Sequence, residues 1–189
     1  MRWWVFASGF GLYWLLSLGL PLWDDDFTSW IRPGWHQSVA EVLWHLVSPI
    51  STQAQHWGFN DRPLELLHYK LGYALSGWNG WGYWLLKSIW MGGMLAGVYG
   101  WLERLNCRRG LALLLVWFVA SAPPTMAAFL WHADFAPASE CLFVWLSGWF
   151  YDLSQRPSGP AWTRRAFGLA LLTFLAYKSK ADLKLLPVV

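Results

Sequence analysis

Apolar runs of bilayer-crossing length recur along this chain, with short polar segments between them. About 20 apolar residues cover a hydrocarbon core. Five stretches approach that length: 3–23, 81–102, 111–131, 135–153 and 166–187. The pattern predicts an all-α fold, a polytopic transmembrane helix bundle formed as a single domain. Between the first two runs lies a longer segment, 24–80, with a different pattern. Val39, Val42, Leu43, Leu46 and Val47 recur at helical spacing, and so do Leu64, Leu67, Leu71 and Leu75. Both stretches read as amphipathic helices lying in the interface. Ser38 and Glu41 have capping-box spacing. Gly77-Trp78-Asn79-Gly80 predicts a turn into the second run. Pro123 and Pro124 must interrupt the third run. Such a break is tolerated where the freed backbone faces protein or a wet cavity.

Composition sharpens the membrane reading. Only 13% of the 189 residues are charged, against about 25% in soluble domains. Eighteen are Trp, whose apolar ring and single N–H donor suit the headgroup boundary. Mean hydropathy is a modest +0.29, because Trp, Tyr and Gly score poorly on that scale. Basic residues are spread over short loops rather than along a stripe, which argues against nucleic acid as a partner. Cys107 and Cys141 have no metal-ligand spacing, and no disulfide is implied. The run after Arg2 is too long for a signal-peptide core and lacks a small-residue cleavage site, so a retained first span is expected.

Charge sets the expected orientation. The loop 103–110 carries Arg104, Arg108 and Arg109, and the loop 154–165 carries Arg156, Arg164 and Arg165. Short Arg-rich loops mark the cytoplasmic side, and Arg2 agrees. The N-terminus is then cytoplasmic in an inner (plasma) membrane of bacterial type. Segment 24–80, the turn 132–136 and the region 178–184 fall on the far side.

The far side gathers the candidate chemistry. Asp24, Asp25 and Asp26 directly follow the first span. Adjacent carboxylates repel, and a hard divalent cation such as Mg²⁺ or Mn²⁺ would relieve the cost. A solvated acidic loop is the plainer alternative. Arg62 precedes a helix and could hold a lipid phosphate through two N–H groups, or pair with Asp61. His132 and Asp134 could be ligands or an acid–base pair, or merely a polar turn. Lys178, Lys180 and Lys184 could bind the phosphate of a lipid-linked donor, or snorkel. Glu140 stands near the start of a span, where an ionisable group is costly unless it reaches headgroup depth. Lys87, inside the second span, is expected to snorkel or to pair within the bundle. Gly93 and Gly97 have GxxxG spacing, for which a contact within the chain is expected.

Several of these residues fall in one ordered pattern. Arg62-Pro63-Leu64 is followed by Tyr73-Ala74-Leu75, Gly77, Asn79, Gly82-Tyr83 and Leu85. This resembles the R-P-L … Y-A-L-x-G-x-N-x-x-G-Y-x-L stretch of the GT-C polytopic glycosyltransferases, in particular the protein O-mannosyltransferase-like group. Tyr177-Lys178-Ser179-Lys180 through Leu186-Pro187 resembles a later segment of the same family. The resemblance covers most of this chain and the front part of such an enzyme. It implies a polyprenyl-phosphate sugar donor used on the extracytoplasmic face. Asp24 or Asp25 would be the catalytic base or metal-linked carboxylate, with Arg62 and Lys180 facing phosphate. His132-Ala133-Asp134 stands where the family carries a basic–acidic pair.

Two function classes follow. One is a membrane glycosyltransferase, or its N-terminal part. The other is a non-catalytic membrane subunit packed among other membrane helices of a larger complex. A transporter is disfavoured by the scarcity of ionisable groups within the spans.

Overall fold

The computed structural model describes residues 1–20, 38, 40, 63–130 and 136–155. Among these residues every regular element is an α-helix, and no strand is present. The helices are α1 (Arg2–Ser17), α2 (Pro63–Ser76), α3 (Trp81–Arg104), α4 (Arg109–Ser121), α5 (Pro123–Leu130) and α6 (Ala136–Ser154). None of them is both long and apolar enough to cross a membrane by hydropathy. The longest, α3, spans about 36 Å at 1.5 Å per residue, but it contains Lys87, Glu103, Arg104 and five glycines.

Helix α3 is the centre of the bundle, and small residues let two neighbours approach it closely. Toward α1, a Cβ on Gly92 would stand 2.9 Å from the Phe6 carbonyl oxygen. Toward α6, a Cβ on Gly97 would stand 2.8 Å from Val144 Cγ1, and the Trp145 indole N–H donates to the Gly93 carbonyl at 3.0 Å. The GxxxG pair therefore serves a contact inside the chain. Around these seams Tyr13, Trp84, Met91, Leu95, Tyr99, Val116 and Phe129 form a close-packed core.

Two ion pairs fix the helix directions. Arg2 pairs with Glu103, and Arg104 with Asp152. The start of α1 and the ends of α3 and α6 thus share one end of the bundle. The Trp101 and Tyr151 rings also meet there, 5.4 Å apart. Helix α1 runs antiparallel to α3, and α6 runs parallel to it.

The double proline breaks the third run. Helix α4 stops at Ser121, and Ala122 is extended, with φ −62° and ψ 136°, as expected of a residue before proline. Pro123 then opens α5, where its missing N–H costs nothing. The first run also breaks early. Its helix ends at Ser17, and Gly19 takes φ 83°.

Helix α2 forms where the leucine spacing predicts one, and the face beside the leucines turns inward. His68, Tyr69 and Gly72 pack inward, while Leu71 and Leu75 are 48% and 47% exposed. The inward face must lie close to α3, and Gly72 sits directly against the Tyr83 ring. A leucine at that position would not fit.

Candidate functional site

The end of the bundle opposite the ion pairs carries a half-open cavity of about 690 Å³. Sequence order explains why it forms there. Helix α1 stops at Ser17, and residues 18–20 turn across the top of α3. On the other side, α2 and α3 are joined by the tight turn 77–80. Gly77 takes φ 59°, a left-handed conformation that glycine adopts without steric cost. Ser76 ties this turn together by donating to the Asn79 carbonyl and accepting from the Gly82 N–H. The Tyr83 hydroxyl donates to the Gly77 carbonyl at 3.1 Å. Two rigid rims result, with the cavity between them.

Tryptophan dominates the lining. Trp14 comes from α1, Trp78 from the turn, and Trp81 and Trp84 from α3. Trp84 is buried, and its indole N–H donates to the Leu20 carbonyl at 3.2 Å, which fixes one rim to the other. Trp78 and Trp81 are partly exposed. Trp78 is held edge-on by Tyr73, with ring centroids 5.3 Å apart. Ser17 and Asn79 add polar groups.

A second cluster of polar side chains lies deeper, between α2 and α3. Lys87 is 3% exposed, so it does not snorkel. Its ammonium stands 5.7 Å from the Trp84 ring centroid, a cation–π arrangement. His68 is buried as well. Burial, with the Lys87 charge adding to it, pushes its imidazole pKa down to about 3, so it is neutral at physiological pH. The Ser88 hydroxyl is fully buried and has no hydrogen-bond partner among the described residues. Cys107, just past the end of α3, and Cys141, buried beside Gly93, are both free thiols.

Asp24, Asp25, Asp26, Arg62, His132, Asp134, Lys178 and Lys180 are all outside the described residues, as is the helix expected over 38–50 apart from residues 38 and 40. Among the described residues no cluster of His, Cys, Asp and Glu side chains could hold a metal ion. The cavity itself was not anticipated. Its walls come from two segments more than 50 residues apart, and the sequence signal was a concentration of Trp in and just after the 77–80 turn. The burial of His68 was hidden by the more conspicuous leucine spacing.

No protein-family model matches this chain, and neither a curated protein nor a solved structure does.

Proposed function

We propose that this chain is a polytopic membrane protein that transfers a sugar from a polyprenyl-phosphate donor, acting at the bundle end where the tryptophan cavity opens. The membrane part of the reading is supported by what the helices leave uncovered. Trp3 is 82% exposed, and Leu15, Leu114 and Phe118 are also largely exposed. In water such surfaces would be costly, whereas acyl chains would cover them. From Trp81 to Trp101, α3 rises about 30 Å at 1.5 Å per residue, the thickness of a hydrocarbon core. Aromatic residues thus stand at both levels where a lipid–water boundary would fall.

The observation that carries the transfer reading is the cavity. Leu20 lines it, and Asp24 follows four residues later, within a chain length of about 14 Å. A cavity lined by aromatic residues, with carboxylates this close in the sequence, suits a sugar whose acceptor must be activated by a general base. Asp24 and Asp25 take that base or metal-holding role, with Mg²⁺ or Mn²⁺ as the cation. Arg62, Lys178 and Lys180 take the leaving phosphate, with His132 and Asp134 as further polar contacts on the same side. Membranes containing the chain, supplied with radiolabelled polyprenyl-phosphate sugar, test the reading. Transfer is expected from the wild type and not from the Asp24→Asn, Asp25→Asn double variant at equal expression. Equal transfer by both would remove the mechanism.

The second reading, a non-catalytic subunit of a membrane complex, is favoured by the exposed row Leu111, Leu114 and Phe118 on α4, which offers another helix a flat apolar seam. A stoichiometric complex isolated from native membranes, without transfer activity, would select it.

A further inference from the structure

The geometry points to a seat for the phosphate of an acidic phospholipid between the Arg2 and Arg104 guanidiniums, at the end of the bundle opposite the tryptophan cavity. The seat rests on the membrane part of the reading above for its depth, and not on sugar transfer.

Glycine makes room for it. On α3, a Cβ at Gly100 would stand 3.3 Å from both Arg2 Cζ and Arg104 Nη1. On α6, a Cβ at Gly148 would stand 3.2 Å from the same Nη1. Arg104 thus lies in the seam between two glycines, with its side chain only 15% exposed, and Arg2 reaches the same point from α1. Two like charges are held side by side, and an anion between them relieves the cost. Donors remain to hold one. A guanidinium presents five N–H groups in a fixed fork. Arg2 gives only its Nε to Glu103, and Arg104 gives Nε and Nη2 to Asp152. The Nη groups of Arg2 and the Nη1 of Arg104 have no hydrogen-bond partner among the described residues. Phosphate oxygens take planar N–H groups of this kind in pairs.

Charge and depth select the source of the phosphate. Arg108 and Arg109 closely follow the end of α3, are exposed, and meet no acidic partner among the described residues. The positive charge at this end therefore exceeds what Glu103 and Asp152 balance. The Trp101 ring lies beside Tyr151, and Trp3 and Trp4 are largely exposed. Such aromatic residues gather at the lipid–water boundary, which is the level of a phospholipid's phosphate. On the loop-charge reading this is the cytoplasmic leaflet, whose acidic lipids attract basic residues.

Native mass spectrometry tests the seat on the full chain in dodecyl maltoside micelles. The probes are dioleoyl phosphatidylglycerol, dioleoyl phosphatidylcholine (the same phosphate with a cation beside it) and inorganic phosphate. One bound phosphatidylglycerol is expected, preferred over phosphatidylcholine by about tenfold, the worth of one charge-assisted contact. Arg2→Gln should lose most of that preference. Gly100→Ala should lose it too at unchanged charge, because the added Cβ fills the notch against side-chain atoms only. Glu103→Gln should tighten binding, since it frees the Arg2 Nε; damage to the fold would act in the opposite direction. Arg109→Gln removes the same charge and should keep the preference. Equal binding of the two lipids would overturn the inference. So would an equal loss in Arg109→Gln and Arg2→Gln, which would make the attraction diffuse, or saturable binding of inorganic phosphate in preference to the lipid. Alkaline carbonate washing of membranes separates this result from the reading it rests on. A chain that stays in the membrane without a phosphatidylglycerol preference loses the seat and keeps the membrane reading. A chain washed out of the membrane loses both.

Discussion

The Tyr13 hydroxyl donates to the Ala120 carbonyl at 2.7 Å, across 107 residues of sequence. In an unbroken helix that carbonyl would accept from the N–H of residue 124. Residue 124 is proline and has none, so α1 supplies the donor that the double proline removed. Tyr13→Phe deletes the hydroxyl and leaves a buried acceptor, a loss of about 1–2 kcal/mol. Thermal unfolding in detergent should show the destabilisation. Pro124→Ala in the Tyr13→Phe background should recover little of it, because Pro123 still holds Ala122 extended. Substantial recovery would mean that the helix can close across this point.

Arg104 grips Asp152 with two bonds, Nε to Oδ1 at 3.0 Å and Nη2 to Oδ2 at 2.9 Å. Fork-to-carboxylate geometry of this kind is the stronger form of ion pair, but the Asp152 side chain is 37% exposed, and solvent screens it. A double-mutant cycle with Arg104→Ala and Asp152→Ala should give a coupling energy of about 1 kcal/mol, falling at high salt. Arg104→Lys should recover less than half, since an ammonium cannot make both bonds.

Gly92 and Gly11 make a paired test of close packing. A Cβ at Gly92 would press on the backbone of α1, whereas one at Gly11 meets nothing within 4 Å. Gly92→Ala should destabilise by about 1–3 kcal/mol. Gly11→Ala should stabilise by up to about 1 kcal/mol through helix propensity alone. Unfolding midpoints measured side by side would show the opposite signs.

His68 predicts acid sensitivity. Its pKa falls from 6.5 in the unfolded chain to about 3 in the fold, so below pH 6.5 the unfolded chain takes up a proton that the folded one refuses. Stability is therefore full above pH 6.5 and is lost as pH falls from there toward 3. At pH 5 the loss from this group is about 2 kcal/mol. His68→Phe should flatten the dependence of unfolding on pH between 7.5 and 5. An unchanged slope would mean that His68 is protonated in the fold.

Much of the architecture was legible in the sequence. The second run was expected to end at residue 102, and its helix extends two residues further to Arg104. Pro123 and Pro124 announced the break at Ala122 because proline forbids the ladder whatever surrounds it. The leucine spacing located α2 but not its orientation. Periodicity reveals a stripe and does not say whether protein or lipid covers it. Arg104 with Asp152, and Leu20 with Trp84, were beyond reach because each joins helices far apart in the chain. The carboxylates and basic groups read as a site follow from composition and spacing, and they lie outside the described residues.

Helix α3 presents glycine to α1 on one flank and to α6 on the other, and it ends in the Arg104 pair. A helix committed on both flanks has a fixed length. Inserting one residue between Gly93 and Gly97 would swing everything beyond it by about 100°, unseating Trp145 and carrying Arg104 away from Asp152 in a single step. Substitution can be absorbed one seam at a time, whereas insertion or deletion in this stretch disrupts two together.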